Sequence, residues 1–506
     1  VFILLSLLAT IILIADRFLK LTAREAGLGE RSKSVSLFPS TKDIFGDDTP
    51  DFLDKEQVHK LKKGFDIKLK GKAEEKIDEL AMSTTYAVRP PDFKGIAPIP
   101  KLALAVGDDV LAGDIIFFDK KNPHFKFAAP VSGEIAEIRR GPKRAIEEVV
   151  ILADKEVKFK THNVEDWQKM NREELAQFMS DAGLWPILRQ RPFDIIPDIA
   201  TTPENIFVST FDTAPLAPNL NFVVQGKQSE FAEGVAVLSK LTSGSVHLGL
   251  SANGGTPSPV FTDASDSTKH WFKGKHPAGN VGIQIHHVAP VSANRPAWIL
   301  RPQDVITIGE LFLTGKYNTK RLVALTGAAL NEPKYVQVYQ GAPVADLLKG
   351  NLEAENMRVI SGDVLSGRQM SSTEHLGFFD DQVSVVLEGN EEELFGWLLP
   401  LKARPSMSRT FPNFLNPDKE FDVNTNTHGE QRAFVVSGQY DKVLPMDIHA
   451  QQLMKAIMVN DLERMESLGI YELSEEDVAL CEFVCTSKQP VQATLRRGLD
   501  LMMEQV

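Results

Sequence analysis

The sequence predicts a multidomain α/β protein. Three observations carry this. Short apolar runs alternate with glycine turns through residue 152. From residue 164 onward, helical periods alternate with buried-type strands such as Ile206-Phe207-Val208-Ser209-Thr210. From Pro445 the pattern turns mainly helical, with Leu453, Ile457 and Leu462 among the apolar positions. The 506 residues are 43% hydrophobic and 25% charged, an ordinary balance for a globular chain with a sizeable core. A net charge of −12 argues against nucleic acid as a partner, since phosphate backbones reward basic surfaces.

The elements divide the chain into six stretches. Residues 1–57 hold an apolar segment and a linker. Val1 to Ala15 is apolar except for Ser6 and Thr10, and Asp16 and Arg17 end the run. A membrane span takes about 20 apolar residues, so this run is short. A real anchor completed by upstream residues and a gene-boundary artefact both stay open. Residues 58–155 begin with Lys62 to Gly71, which alternates like a strand ending at glycine. They continue with Gly107-Asp108 and Gly113-Asp114, faced later by Pro130-Val131-Ser132-Gly133. Gly-Asp turns opposite a Pro-x-x-Gly hairpin predict a barrel-sandwich hybrid of the biotinyl and lipoyl type. No Met-Lys-Met or Asp-Lys-Ala turn presents a swinging-arm lysine, so no prosthetic group is expected there.

Residues 156–320 read as a Rossmann-like α/β domain, with a helix near 228–243 carrying Phe231, Val235 and Leu238 on one stripe. Residues 321–370 read as a β-grasp unit, 371–444 as a mixed return segment, and 445–506 as a helical domain.

That last stretch contains the only two cysteines, Cys481 and Cys485. They follow Ser474-Glu475-Glu476-Asp477, a capping-box-like helix start, at a spacing that puts both thiols on one helix face. Core packing is the plainer reading. A disulfide across adjacent turns has poor geometry, zinc needs about two more ligands, and a four-iron cluster needs about four thiolates.

Other candidates are weaker. His270, His276, His286 and His287 lie in one stretch, but adjacent His286 and His287 on a strand would face opposite sides, and no acid sits at a familiar ligand spacing. Ser251 to Pro257 is a glycine-bearing loop that could meet an anion, and an ordinary surface loop is the plainer reading. Glu391, Glu392 and Glu393 read as a solvated helix start. Phe378, Phe379, Phe395, Trp397, Phe411 and Phe414 could line a quinone pocket, anchor an interface or fill a core, and these three readings stay open.

Several motifs, in order, resemble one family. These are Lys62-Lys63-Gly64-Phe65-Asp66-Ile67, Arg191-Pro192-Phe193, Asp212-Thr213-Ala214-Pro215-Leu216-Ala217, His276-Pro277-Ala278-Gly279 and Val281 to His287. Together they resemble the A subunit of the bacterial sodium-translocating NADH:quinone reductase over residues 58–506. The resemblance implies a soluble-ligand-binding (SLBB) β-grasp at 321–370. It also implies a peripheral subunit on the cytoplasmic face of the bacterial inner membrane, with five other subunits as partners. NADH, ubiquinone, flavins and an iron–sulfur centre belong to the wider complex.

The same architecture resembles the flavin subunit of respiratory complex I and the C subunit of the Rnf complex. Their flavin loop is glycine-rich, because a phosphate needs close approach of several backbone N–H groups. Here the matching stretch keeps one glycine, Gly183, followed by Leu184, Trp185 and Pro186. The resemblance therefore implies that the FMN cradle is lost, that Cys481 and Cys485 are vestigial, and that this chain binds no cofactor and contributes no catalytic or metal-binding residue. A contribution to quinone binding is left unlocated. Two alternatives stand beside it: an FMN-binding subunit with an altered loop, and an SLBB-type ligand-binding protein, which would need a secretion signal.

Overall fold

The computed structural model describes residues 50, 53, 58–80, 82–353, 356–389, 391, 395, 403–408 and 410–505. The apolar run at Val1 to Ala15, Glu392, Glu393 and Trp397 lie outside the described residues. Of the described residues, 50, 53 and 252–255 fall in one unit, and those in 58–251 and 256–505 form another. In the first, Gly254 and Gly255 take left-handed φ of 121° and 75° with open space around them.

In the main unit, β1 (Val58–Lys60) and β2 (Glu74–Glu79) are edge strands of later sheets: β1 runs parallel to residues 271–273 and β2 parallel to residues 334–337. Between them, Lys62 to Lys70 is not the expected strand. Its one ladder contact is a bridge from Leu69 to Phe421. The alternation instead buries Ile67 and Leu69 against the C-terminal helices, so a period of two reports burial here rather than sheet pairing.

The barrel-sandwich follows: β3 (Thr85–Val88), β4 (Lys101–Leu102), β5 (Asp109–Val110), β6 (Ile115–Phe118), β7 (Lys126–Ala128), β8 (Gly133–Arg140) and β9 (Ile146–Ala153). Its sheets run β3-β9-β8-β5 and β4-β6-β7. Both Gly-Asp turns form as the sequence suggests. Asp108 Oδ2 accepts from Ala105 N at 2.7 Å, and Asp114 Oδ2 accepts from Leu111 N at 3.0 Å. The aspartates close their own turns, while Gly107 and Gly113 supply φ of 94° and 95°. Phe117 and Phe127 stack at 4.5 Å in the core.

The α/β layer comprises α1 (Arg172–Asp181), β10 (Arg189–Arg191), β11 (Asn205–Ser209), α2 (Leu220–Val223), α3 (Gln228–Ser239), β12 (Ser245–Ser251), α4 (Pro259–Thr262), β13 (Thr268–Lys273), α5 (Val281–Val288), β14 (Ala297–Leu300) and α6 (Pro302–Thr314). The sheet order is β1-β13-β12-β11-β14-β10. All pairs are parallel except β10 with β14. Helices α3 and α6 meet where each has a glycine: a Cβ on Gly234 would lie 2.1 Å from Val305 O, and one on Gly309 would lie 1.7 Å from Glu230 O.

The next sheet contains β15 (Lys320–Thr326), β16 (Lys334–Tyr339), β17 (Met357–Ser361), β18 (Arg368–Met370) and β19 (Gln382–Leu387), with α7 (Val344–Leu347) between β16 and β17. Its order is β18-β17-β19-β15-β16-β2, so a strand beyond residue 370 lies at its centre. The chain ends in α8 (Tyr440–Val443), α9 (Ala450–Met458), α10 (Leu462–Ser467), α11 (Glu475–Val484) and α12 (Val491–Met503). Their apolar faces share one core that includes Leu453, Ile457, Leu480, Cys481, Leu495 and Leu499. Among the described residues no helix is long and apolar enough to cross a membrane.

Candidate functional site

The stretch from Gly183 forms a tight turn packed under the barrel-sandwich. Gly183 takes φ of 75°, and a Cβ there would meet the Cβ of Ala128 at 2.5 Å. Leu184, Trp185, Pro186 and Ile187 are fully buried. Trp185 packs edge-to-face on Trp298 at 5.4 Å and donates its indole N–H to Pro197 O at 2.8 Å. Four backbone amides of the stretch are already in use. Gly183 N donates to Ser180 O, Leu184 N to Met179 O, Ile187 N to Leu184 O and Leu188 N to Trp185 O, at 2.9–3.1 Å. A phosphate cradle requires such amides to point at the ligand; these four point into their own chain.

Beyond this turn, β10 carries Arg189 and Arg191 to a junction of three modules. Phe193 and Asp194 both take left-handed φ, 76° and 58°, a costly conformation for non-glycine residues that marks an over-determined site. A cavity of about 110 Å³ opens there, lined by Asp92, Phe93, Lys94, Arg189, Ile196 and Phe379 among others. Arg189 lies 5.0 Å over the Phe379 ring. Lys94 Nζ reaches both Asp194 and Glu475 at 2.9 Å. Burial alone would raise Asp194, but Arg189, Lys94 and Arg191 outweigh it and hold the carboxyl well below the usual carboxylate range. Asp92 shows the opposite result: burial pushes it up to about 6 although Arg89 and the Phe378 amide oppose the shift. Ligand pockets commonly span about 300–1,000 Å³. The cavity is therefore sized for a single small ring or a few waters.

The second predicted feature, the cysteine helix α11, docks on this same junction by its N-terminus. Arg191, 1% exposed, donates from Nη2 to Glu476 Oε1 at 2.6 Å and lies 3.6 Å from Asp477 Oδ2. Asp477 also caps its own helix, accepting from Ser474 N at 2.9 Å and Ser474 Oγ at 3.1 Å. Burial, reinforced by Glu476 and opposed by Arg191, pushes its carboxyl up to about 7. Among the described residues, Arg191 Nε, Arg191 Nη1 and Asp477 Oδ1 have no hydrogen-bond partner. One turn further on, Cys481 is fully buried and its thiol is raised by burial. Cys485 Sγ accepts from Tyr440 OH at 3.1 Å, and both thiols are free.

The structure thus brings together the Gly183 turn and the cysteine helix through Arg191, a contact between residues 285 apart in sequence. It does not bring the four histidines into one cluster with acids. Among the described residues no group of three or more His, Cys, Asp or Glu is placed to hold a metal. His286 and His287 do not sit on a strand; they end α5, with rings 5.1 Å apart. Val281, Ile285 and Val288 at helical spacing, after Asn280, carried that signal. His286 Nδ1 meets Glu472 at 2.7 Å, His287 Nε2 meets Pro445 O at 2.8 Å, His270 Nε2 meets His247 Nδ1 at 2.9 Å, and His276 Nδ1 meets Thr213 at 3.2 Å. Of the aromatic candidates, Phe379 lines the cavity, Phe378 and Phe411 are buried, and Phe395 is 52% exposed. Sequence reasoning missed Lys94, Arg189, Arg191 and Asp194 as site residues. Arg191-Pro192-Phe193 entered only as a family motif, and nothing local to Lys94 announces its partners.

Comparison with known proteins gives a consistent result along the chain. Residues 59–154 match the NqrA N-terminal barrel-sandwich hybrid domain, 170–317 the NqrA second alpha/beta domain, and 322–372 the NQRA C-terminal domain. The A subunit of the Na(+)-translocating NADH-quinone reductase of Neisseria meningitidis serogroup B is 38% identical over 444 residues, covering 87% of this chain and 98% of that protein. The proteins of the same name from Rhodopirellula baltica and Vibrio alginolyticus are each 37% identical, covering 88% and 87% of this chain and 98% of each relative. With an α/β architecture of barrel-sandwich, α/β and SLBB-like modules and this level of identity, the chain belongs to the NqrA family, the A subunits of the Na(+)-translocating NADH-quinone reductases.

Proposed function

We propose that this chain is a peripheral subunit, on the cytoplasmic face of the bacterial inner membrane, of a sodium-pumping NADH:ubiquinone oxidoreductase, and that it carries no flavin or iron–sulfur centre of its own. In this reading five other subunits hold the redox centres that pass electrons from NADH to quinone. The α/β layer is then a Rossmann-like domain that has lost its FMN, and the helices from residue 445 form a domain whose Cys481 and Cys485 serve packing alone.

One observation carries the reading. Where a flavin phosphate would need free amides and room, Gly183, Leu184, Ile187 and Leu188 spend their N–H groups internally and Trp185 fills the space. A quinone contribution is favoured at the cavity beside Arg189. There Phe93, Ile196 and Phe379 offer apolar walls, while Lys94 and Arg189 offer donors for ring carbonyls.

Purifying the full chain alone and recording its absorption spectrum tests the first claim; stoichiometric flavin or cluster absorbance would end it. Co-purification from membranes solubilised in mild detergent tests the second; failure to recover the reductase partners would end that one.

A further inference from the structure

The β8–β9 hairpin ends in a turn whose chemistry does not suit its shape. The turn spans Pro142 to Ala145, with Ala145 N donating to Pro142 O at 3.1 Å and Gly141 N donating to Ala145 O at 2.9 Å. Its central residues are Lys143 (φ 55°, ψ 24°) and Arg144 (φ 65°). Positive φ at both central positions is the type I′ turn, which strongly prefers Asn-Gly because longer side chains are penalised there. This sequence places two long cations in the strained positions instead. A rare backbone state that persists points to a use for the side chains it presents.

The neighbouring residues sharpen the contrast. Arg139, at the base of the hairpin, is tied down by Glu137, Glu148 and Thr373 O. Arg140, Lys143 and Arg144 are exposed, and none of the three makes an ion pair among the described residues. Among the described residues the Arg140 guanidinium donates only to Arg144 O, at 3.1 Å. Glu147 packs beneath the turn at Gly141. An otherwise acidic chain, with net charge −12, therefore projects a tip with three exposed cations that form no ion pair among the described residues.

We propose that this tip is a contact point for an anionic lipid surface. This rests on the reading of the chain as a peripheral component of a membrane complex. An anionic bilayer repels a net-negative protein overall, so a local cationic projection is what lets one defined edge approach. Acidic protein partners are the competing occupant. Lipid phosphates are favoured because the tip is an exposed hairpin end carrying point charges, and among the described residues no large apolar side chain is exposed within 138–147 to anchor a folded partner.

The test uses the full chain and the double variant Lys143→Asn/Arg144→Gly. The variant installs the residues the turn prefers, so its melting temperature is expected to be equal or higher, which separates charge from folding. Binding is measured by co-sedimentation with vesicles of phosphatidylcholine alone and of phosphatidylcholine with phosphatidylglycerol. The wild type is expected to bind only the mixed vesicles, and to release in about 1 M salt, where the screening length is about 3 Å. At about fivefold per cation near the surface, the double variant is expected to lose about twentyfold or more. Equal binding by variant and wild type, or no preference for phosphatidylglycerol, would overturn the proposal. So would a variant that keeps vesicle binding but fails to co-purify with the reductase partners, since the tip would then serve a protein. If the chain never co-purifies with those partners yet the vesicle difference holds, the reading as a reductase component fails and the lipid contact stands.

Discussion

Two buried carboxylates, Glu148 and Asp477, face arginines at module junctions, and they end in opposite states. Glu148 sits between the barrel-sandwich and the sheet of β15–β19. Its oxygens accept from Arg89 Nη1 at 2.5 Å, Arg139 Nη1 at 2.6 Å, His375 Nδ1 at 3.1 Å and the His375 amide at 3.3 Å. Burial would raise it, but His375 and Arg89 outweigh burial and hold it down at about 2. Asp477 sits between the α/β layer and α11, where Arg191 must also serve Asp194 and Glu476. It lies beyond hydrogen-bond distance of Arg191 and is pushed up to about 7. Both residues are 2% exposed or less, but Asp477 lies deeper in the protein and has fewer donors than Glu148, and the two differences act in the same direction. A saturated carboxylate locks its junction. A shared one leaves slack, and the slack falls at the junction that holds the cavity.

The largest test of this contrast is Glu148→Ala. Removing the acceptor takes from Arg89, Arg139 and His375 the one carboxylate they share, leaving Arg89 with Asp92 and Glu374 and Arg139 with Glu137, and breaking a buried ionic network in this way costs about 3–5 kcal/mol. Urea unfolding at neutral pH reads it. A loss below about 1 kcal/mol, the scale of an exposed pair, would mean the Glu148 junction is no lock. The sign with pH follows from the depressed value. The contribution is fully present above the unfolded carboxyl range near about 4.3 and is lost as pH falls towards about 2.

A smaller loss is expected from Arg191→Ala, about 1–3 kcal/mol. The residue is equally buried, but Asp477 can take up a proton once its cation is gone, which relieves part of the penalty. The same substitution separates stability from the site. Loosening α11 should raise proteolytic sensitivity in residues 475–503 before it affects the barrel-sandwich. Uniform loss of protection across both would erase the distinction between the two junctions.

Much of the architecture could be read along the chain, because its signals are local. The two Gly-Asp turns, the helix beginning at Gln228 and the capping box at Ser474 each lie within a few residues and formed as read. The strand expected at 62–71 and the strand setting for His286 and His287 did not form, because a short apolar pattern does not say what it packs against. Ile67 and Leu69 alternate to meet helices, and the histidines close a helix of only eight residues. The junctions were illegible for a different reason. Glu148 meets His375 from 227 positions away, and Arg191 meets Glu476 from 285. A pairing at that range leaves no period in the sequence, so Arg191 read only as part of a motif and Lys94 carried no signal at all.

The finest test is Asp477→Asn, whose expected effect changes sign with pH. Asparagine keeps an acceptor for Ser474 N, so the helix cap survives. What is lost is a titration. A carboxyl whose folded value is raised contributes stability that is complete below its unfolded range near about 3.9 and disappears as pH rises through the folded value near about 7. Wild type should therefore weaken relative to Asp477→Asn between those limits. At pH about 5 the two should lie within about 0.5 kcal/mol; at pH about 8 the variant should be the more stable by about 1 kcal/mol or more, because it no longer buries an under-paired charge. Paired unfolding curves across that range decide it. If the variant were instead less stable at every pH, Arg191 would be a sufficient partner for Asp477, and the contrast with Glu148 would reduce to geometry alone.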